Sequence, residues 1–257
     1  MIQWQDKTRF RVGETAFRCY DWMFGSQPST PDEYFLQKDA DMVRDYARLA
    51  AEISPQQIFE LGIWQGGSCV FFNELCRPKK LVAVELNEER IVALDTYRAT
   101  SAQGRTLTPL YGIDQADSAT LAEILQTEFG DTPLDLVIDD ASHFVDETRT
   151  SFNLLFPRLR PGGAYVIEDW AWAHDPVDDP AGAVNLYPEK EPLTRLVFEL
   201  VLAAGSTHDL IRHIEVDSHK VTVYRGERAI DSGSFNVSDL CLPRGQALLA
   251  TSVDTRP

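Results

Sequence analysis

The residues best suited to chemistry end an apolar run in the middle of the chain. Residues 134–139 have the length and composition of a buried strand, and they end in Asp139. Asp140, two small residues and His143 follow directly. Because open α/β sheets bind ligands beyond the carboxyl ends of their strands, we expect this stretch to form the floor of an active site.

A second pair of acids, Glu168 and Asp169, ends the apolar run 164–167. If the two runs form neighbouring strands, four carboxylates meet at one rim and repel one another at close range. A divalent cation would relieve this repulsion, and all-oxygen ligands indicate Mg²⁺, Mn²⁺ or Ca²⁺. The alternative is that some of these acids face solvent and the others cap helices.

His143 lies three residues beyond Asp140, and the ordinary pKa of imidazole suits a general base near neutral pH. A lone histidine is often structural, and His174 in the following loop is a competing candidate. Trp170 and Trp172 are candidates for the wall of an acceptor pocket, because aromatic faces suit a sugar or a flat ring. Core packing would explain both tryptophans equally well.

A glycine-rich turn follows an earlier strand, and its motif is Glu60-Leu61-Gly62-x-x-x-Gly66-Gly67-Ser68. It lacks the Gly-Lys-Ser/Thr of a P-loop, and Gly-x-Gly-x-x-Gly cannot be laid on it. The acid two positions before the first glycine suits a cationic ligand, such as a methionine-type ammonium beside a sulfonium, rather than a pyrophosphate. The glycines would let the backbone approach that ligand closely. A plain strand-to-helix turn is the alternative.

Polar residues also end the next two strands. Glu85 closes the second strand, where a carboxylate can accept hydrogen bonds from both ribose hydroxyls of a nucleoside. Asp114 and Gln115 follow the third strand, and one of them could meet an adenine edge. Solvated loop positions would account for all three.

Strand-like and helix-like runs alternate from residue 57 to residue 224, which predicts βαβ units and a parallel sheet. The runs 211–216 and 220–224 flank a tight turn and predict an antiparallel pair. We therefore expect a Rossmann-like, doubly wound α/β sheet of about seven strands, mostly parallel with a C-terminal antiparallel strand, and helices on both faces.

Three parts of the chain follow from this pattern. Residues 1–54 form an extension with a small hairpin around Gly13 and a helix from Thr30 to about residue 53, peripheral to the main fold as a lid or oligomer contact. Residues 55–228 form the main domain. Residues 229–257 form a polar tail with one apolar run, 247–250, that packs on a partner subunit or is loose.

The charge and composition exclude several classes of partner. The 40 acids outnumber the 24 Lys and Arg residues, and the net charge of −16 argues against nucleic acid and anionic lipid. No apolar run is long enough to span a membrane, and the first residues are too polar for a signal peptide. The 4 cysteines show no Cys-x-x-Cys spacing, which favours reduced thiols and a cytoplasmic location.

Together these motifs resemble the class I S-adenosylmethionine-dependent methyltransferases. The glycine-rich turn is similar to their first motif, Glu85 to their ribose-binding acid, and 159–163 to the turn before their fifth strand. The antiparallel pair resembles their reversed seventh strand. The resemblance implies that 55–228 is a methyltransferase domain that binds S-adenosylmethionine. We expect the cofactor to contact Glu60, Gly62, Gly66, Gly67, Ser68, Glu85, Asp114, Gln115 and Asp139.

Within that superfamily, the acids and His143 resemble the metal-dependent O-methyltransferases of macrolide and other natural-product sugars, and the related cephalosporin-biosynthesis group. The resemblance implies that Asp140, Glu168 and Asp169 hold Mg²⁺ or another divalent cation and that His143 is the base. It leaves open whether Asp139 touches metal, cofactor or neither. The continuation after Asp169 departs from the sugar enzymes, so the acceptor class stays open.

The sequence therefore predicts a metal-dependent O-methyltransferase that acts on a hydroxyl of a small molecule and can form a homo-oligomer. A metal-independent small-molecule methyltransferase and a non-catalytic nucleoside-binding protein of the same fold are the alternatives. An NAD-dependent oxidoreductase is disfavoured, because the dinucleotide fingerprint is missing.

Overall fold

The computed structural model describes residues 2–21, 23, 25–174, 187, 189–241 and 244. Its strands and helices are β1 (Ile2–Trp4), β2 (Arg9–Val12), β3 (Thr15–Cys19), β4 (Tyr34–Leu36), α1 (Ala40–Ile53), β5 (Gln57–Leu61), α2 (Gly67–Cys76), β6 (Lys80–Glu85), α3 (Val92–Thr100), β7 (Leu107–Tyr111), α4 (Ser118–Phe129), β8 (Leu134–Asp139), α5 (Val145–Leu155), β9 (Leu159–Glu168), α6 (Thr194–Thr207), β10 (Ile211–Val216) and β11 (Lys220–Arg225).

The central sheet has seven strands in the order β10-β11-β9-β8-β5-β6-β7. The strands from β9 to β7 pair in parallel, whereas β11 is antiparallel to both β9 and β10. The predicted Rossmann-like α/β sheet with a C-terminal antiparallel strand is confirmed. The carboxyl ends of β5, β6, β7, β8 and β9 therefore meet along one edge.

Helices cover both faces of this sheet, and β8 shows why the pattern requires them. All six residues of β8 are buried, as expected for a strand with covered faces. Leu136 and Ile138 belong to the apolar cluster that includes α1, α2 and α3, while Val137 belongs to the cluster that includes α4, α5 and α6. Alternation along the strand therefore decides which side each later residue faces.

The N-terminal residues form a second sheet with the strand order β1-β2-β3-β4. The predicted hairpin is present, and Gly13 adopts a φ of 57° in its turn. We expected this hairpin to be peripheral, but it is part of the core. Phe10 and Phe17 are fully buried, and the centroid of each ring lies 5.8 Å from that of Phe71 on α2. The second sheet is thus part of the core that supports α2.

The predicted helix start at Thr30 is wrong, because β4 occupies part of that segment. The Thr30 hydroxyl accepts the backbone N–H of Glu33 at 3.1 Å, so the capping-type pattern closes a local turn. Helix α1 begins at Ala40, where the Asp39 side chain accepts two backbone N–H groups at 2.9 Å each. Its predicted end is confirmed, since Ser54 adopts a left-handed conformation directly after it.

Smaller differences concern the segments between strands. Helix α3 begins at Val92, and β9 begins at Leu159 and includes the predicted turn at 159–163. Of the loop predicted after Asp169, the structure describes a short 3-10 helix at Trp172–His174, whereas 175–186 lie outside the described residues. The apolar run 247–250 also lies outside them. No helix among the described residues has the length and apolar character needed to cross a membrane.

Candidate active site

A cavity of about 480 Å³ lies at the carboxyl ends of β5, β6, β7 and β8. The N-terminal segment closes one side of it through Ser26, Phe35, Gln37 and Lys38. The predicted site residues that line this cavity are Gly62, Gly67, Ser68, Glu85, Asp114, Gln115, Asp140, His143 and Asp169. The structure thus brings together most of the predicted residues, but it leaves Glu60, Gly66, Asp139 and Glu168 out of the cavity wall.

The glycines of the β5–α2 turn allow close approaches between protein segments. Gly62 has a φ of 94°, and a Cβ there would lie 2.1 Å from the carbonyl oxygen of Asp140. Gly66 is also left-handed, with a φ of 77°. A Cβ on Gly67 would lie 1.8 Å from the carbonyl oxygen of Phe35. On the side where a Cβ would project, the close neighbour of Gly67 is β4, and the predicted approach of its backbone to a ligand stays a prediction.

Glu85 holds the same turn from the end of β6. One of its carboxylate oxygens accepts the backbone N–H groups of Ile63 and Trp64, both at 2.9 Å. The other oxygen accepts the N–H of Asn87 at 3.0 Å. Glu85 therefore fixes the shape of the cavity wall, and its predicted contact with a ribose stays a prediction.

Asp114 and Gln115 differ in the hydrogen bonds that their side chains already make within the protein. Asp114 lines the cavity and accepts the N–H of Ala116 at 2.8 Å. The amide nitrogen of Gln115 donates to Asp139 at 2.6 Å and to the Ser151 hydroxyl at 3.0 Å. Asp114 therefore fits the predicted contact with an adenine edge better than Gln115 does.

Asp139 points away from the cavity into the interface between β8 and α5. It is 2% exposed and accepts hydrogen bonds from the hydroxyls of Tyr165 at 2.6 Å and Ser151 at 2.9 Å, and from Gln115. Burial raises the pKa of Asp139 to about 6, although these hydrogen bonds oppose the shift. The expected cofactor contact of Asp139 is therefore corrected to a structural role, since its oxygens bind protein donors.

Glu60 is enclosed beneath the turn, with a side chain that is 0% exposed. Among the described residues, neither of its oxygens has a partner with standard hydrogen-bond geometry. Burial raises its pKa to about 7, and the neighbouring Ser68, Cys69 and Lys38 oppose the shift only in part. The predicted direct contact with a cofactor is not supported, because Glu60 does not line the cavity.

The raised pKa of Glu60 makes a testable contribution to stability. Between its ordinary value of 4.5 and about 7, the folded state binds more protons at this site than the unfolded state. Folding stability from Glu60 therefore falls as pH rises through this window. We compare the free energy of unfolding of Glu60→Gln with that of the native protein at two pH values. The difference in favour of the variant should be larger at pH ~8 than at pH ~4 by roughly 3 kcal/mol. Urea unfolding at both pH values measures this difference.

Glu123→Gln is the matched control, because Glu123 is exposed on α4. It should change the free energy of unfolding equally at both pH values. A pH-independent effect of Glu60→Gln would show that burial does not disfavour the Glu60 carboxylate.

Lys38 is a residue of the cavity wall that the sequence interpretation missed. Its ammonium donates to Asp140 Oδ2 at 2.9 Å and to Glu168 Oε2 at 2.6 Å. Burial works to lower the pKa of Lys38, but the carboxylates of Asp140 and Glu168 outweigh it and hold the pKa above its ordinary value. No sequence signal indicates this contact, because the partners are 102 and 130 residues away along the chain.

Only two of the three predicted metal ligands, Asp140 and Asp169, line the cavity. The expectation that β8 and β9 are neighbours is confirmed by the pairing of Asp139 with Ile167. Glu168, however, is buried against Lys38 and Tyr46 and does not line the cavity. Burial and the charge of Asp140 act to raise the pKa of Glu168, whereas Lys38 and the Tyr46 hydroxyl favour its charged form. Glu168 therefore faces Lys38 and Tyr46 rather than the cavity, and its predicted contact with a metal stays a prediction.

Asp140, His143 and Asp169 converge at the cavity. His143 Nε2 lies 3.9 Å from Asp140 Oδ1 and 4.0 Å from Asp169 Oδ2, and one donor atom from each residue lies within 4.8 Å of the others. Partial loss of solvent around its carboxylate and the charge of Asp140 raise the pKa of Asp169, although its side chain is 56% exposed. Such a group can bind a divalent cation or accept a proton from a bound hydroxyl.

The aromatic residues beyond β9 support this group from outside the cavity wall. The Trp172 indole donates to the carbonyl oxygen of His143 at 2.9 Å, where the backbone has a φ of 58°. The Trp170 indole donates to a backbone carbonyl in the β10–β11 turn at 2.8 Å. His174 hydrogen-bonds the Thr194 hydroxyl, which favours His143 as the candidate base. Trp172 thus holds the backbone of His143, and neither tryptophan lines the cavity described above.

Comparison with known proteins agrees with this geometry. Residues 59–170 match a family described as a methyltransferase domain. The chain is 36% identical over 127 residues to demethylmacrocin O-methyltransferase of Streptomyces fradiae, a match that covers 47% of this chain and 29% of the relative. It is 28% identical over 193 residues to a tetracenomycin-C rhamnosyl 3'-O-methyltransferase of Streptomyces olivaceus, covering 66% and 45% respectively. The matched regions thus span less than half the length of these relatives.

A solved structure shares the fold. The MycE methyltransferase of the mycinamycin pathway, in complex with Mg, SAH and mycinamycin VI, aligns with a TM-score of 0.53 and 25% identity. The alignment covers 72% of this chain and 49% of that chain. The resemblance drawn from the motifs is confirmed at the level of the domain: residues 59–170 match a methyltransferase domain, and the sheet has the fold of the class I S-adenosylmethionine-dependent methyltransferases.

Proposed function

We propose that the protein transfers the methyl group of S-adenosylmethionine to a hydroxyl group of a small molecule of the sugar-bearing natural-product type. The observation that carries this proposal is the convergence of Asp140, His143 and Asp169 beside the cavity at the strand ends. The acceptor class is suggested by the names of the relatives, which are O-methyltransferases of sugar-bearing compounds.

The cavity residues fit the cofactor in kind. The turn after β5 exposes Ser68 at the start of α2, Glu85 presents a carboxylate for ribose hydroxyls, and Asp114 lies at the end of β7. The ionised form of Glu60, buried beneath the turn, would favour a cationic amino group, although Glu60 makes no direct contact with the cavity. The SAH in the MycE structure supports the same class of cofactor.

The chemistry places modest demands on the protein. The positively charged sulfonium of the cofactor already makes its methyl group electrophilic, so the residues mainly orient the two reactants. His143 Nε2 would take the proton from the attacking hydroxyl, because it is the imidazole among the converging groups. Asp140 and Asp169 would favour the imidazolium that forms, since their carboxylate oxygens lie 3.9 and 4.0 Å from Nε2.

A divalent cation fits the site through two of the three predicted carboxylates. Asp140 Oδ1 and Asp169 Oδ2 would hold it, and their oxygen donors suit Mg²⁺ or Mn²⁺. When bound, such a cation supplies a positive charge that lowers the pKa of the acceptor hydroxyl. Glu168 would stay with Lys38.

A metal-independent methyltransferase is the second candidate, and one observation favours it. Lys38 already neutralises charge on Asp140 and Glu168, so the acids at this rim do not require a metal to remain close together. We expect methyl transfer to stop in EDTA and to recover when Mg²⁺ is restored. Full turnover in EDTA would select the metal-independent candidate.

Cofactor and acceptor can be tested separately. Calorimetric titration should show binding of S-adenosylmethionine, and binding of NAD alone would contradict the proposed class. A panel of glycosides, catechols and hydroxy acids, read by mass spectrometry, should show a gain of one methyl group on a glycoside. Cofactor binding without methyl gain on any acceptor would favour a nucleoside-binding protein of the same fold.

A further inference from the structure

Lys38 is an enclosed charge that the proposed proton transfer does not use. Its side chain is 2% exposed, and its ammonium lies between Asp140 Oδ2 and Glu168 Oε2, at 2.9 and 2.6 Å. The Tyr46 hydroxyl donates to the remaining oxygen of Glu168. Both oxygens of Glu168 and one oxygen of Asp140 are therefore bound by groups of the protein itself.

We propose that Lys38 is a built-in counter-ion that competes with a divalent cation for the acids at this rim. An ammonium and a metal ion on the same carboxylates repel each other, so Lys38 would keep Glu168 from serving as a ligand. Lys38 is then a positioning residue that leaves Asp140 Oδ1, Asp169 and His143 as the groups facing the cavity. This inference rests on the proposed use of that rim for a cation.

The N-terminal segment positions Lys38 between Asp140 and Glu168. Lys38 follows β4, which pairs with β3. The backbone of β4 passes so close to Gly67 that a Cβ on Gly67 would collide with the carbonyl oxygen of Phe35. The backbone carbonyl of Lys38 also accepts the N–H of Tyr20 at 3.0 Å. The residue thus lies outside the matched region 59–170, and the N-terminal sheet sets the charge of a site built by the methyltransferase domain.

Removing the ammonium tests the inference directly. Lys38→Met should bind Mn²⁺ at least about tenfold more tightly than the native protein, because two more carboxylate oxygens become available. Titration calorimetry without cofactor or acceptor measures this affinity. Lys80→Met is the control, because Lys80 pairs with Glu128 at the amino end of β6, at the opposite end of that strand from the cavity. Its Mn²⁺ affinity should equal that of the native protein.

A double-mutant cycle assigns the gain to Glu168. Glu168→Gln alone should change Mn²⁺ affinity by less than about threefold, whereas in the Lys38→Met background it should remove most of the gain. Thermal melting checks that each variant is folded, and Lys38→Gln replaces Lys38→Met if the latter is not. Equal or weaker Mn²⁺ binding by the folded Lys38 variant overturns the inference, and so does absence of binding in both proteins.

The outcome is independent of methyl transfer. Tighter Mn²⁺ binding by Lys38→Met supports the inference even if no acceptor in the panel is methylated. Conversely, methyl transfer by the native protein supports the proposed function even if the Lys38 variants bind Mn²⁺ no better.

Discussion

Replacing His143 with Gln should lower kcat for methyl transfer by about 10²–10⁴-fold, because the attacking hydroxyl loses its general base. The affinity for S-adenosylmethionine should stay within about twofold, because the proton-accepting nitrogen points to Asp140 and Asp169 rather than to the β5–α2 turn. Initial rates at saturating cofactor and titration calorimetry measure the two effects separately.

His174→Gln is the matched control, because His174 occupies the next loop and is hydrogen-bonded to Thr194. It should keep at least about half of the native kcat. Undiminished turnover in His143→Gln would remove His143 from the reaction. Equal losses in both variants would indicate that the loops, and not the imidazole of His143, control the rate.

The position of His143 could be predicted because simple rules apply to β8. An apolar run of strand length ends in acids, and the carboxyl ends of parallel strands converge on one edge of a sheet. The same reasoning located Glu85 and Asp114 at the cavity wall. Each of these residues lies within a few positions of a strand end, so local pattern is enough to place it.

Which of the acids face the cavity and which are buried within the protein could not be predicted in the same way. Successive residues of a strand face opposite sides of the sheet, so Asp139 follows Val137 toward α5 while Asp140 reaches the cavity. The alternation implies that the side chains of two successive acids point to opposite faces of the sheet, but the sequence does not show which face holds the ligand. Glu168 is similar, since its direction is defined by Lys38, a residue far away in the chain.

The N-terminal sheet illustrates a second limit. The Thr30 pattern satisfies the rules for a helix start and for a local turn, and only the pairing of β4 with β3 decides between them. That pairing also brings Phe35 over Gly67 and Lys38 between two acids. Non-local pairing of this kind leaves no periodic signal in the residues concerned.

Substituting Gly62 with Ala should have a large effect on both stability and cofactor binding. A Cβ at this position would lie 2.1 Å from the carbonyl oxygen of Asp140, and the φ of 94° is unfavourable for any L side chain. The hydrogen bond from Asp140 N–H to the Leu61 carbonyl, 2.9 Å long, holds these segments together, so relief of the clash must separate β5 from β8. We expect the free energy of unfolding to fall by about 2–4 kcal/mol.

Affinity for S-adenosylmethionine should fall at least about tenfold in Gly62→Ala, because the displaced backbone carries Asp140 and the cavity wall with it. Gly13→Ala is the matched control: its φ is 57°, but the nearest atom to a new Cβ is the Arg77 guanidinium at 3.9 Å. It should cost about 1–2 kcal/mol from backbone strain alone and leave cofactor affinity unchanged. Urea unfolding and titration calorimetry on both variants separate strain from collision, and equal losses in the two would show that the contact between Gly62 and Asp140 does not shape the site.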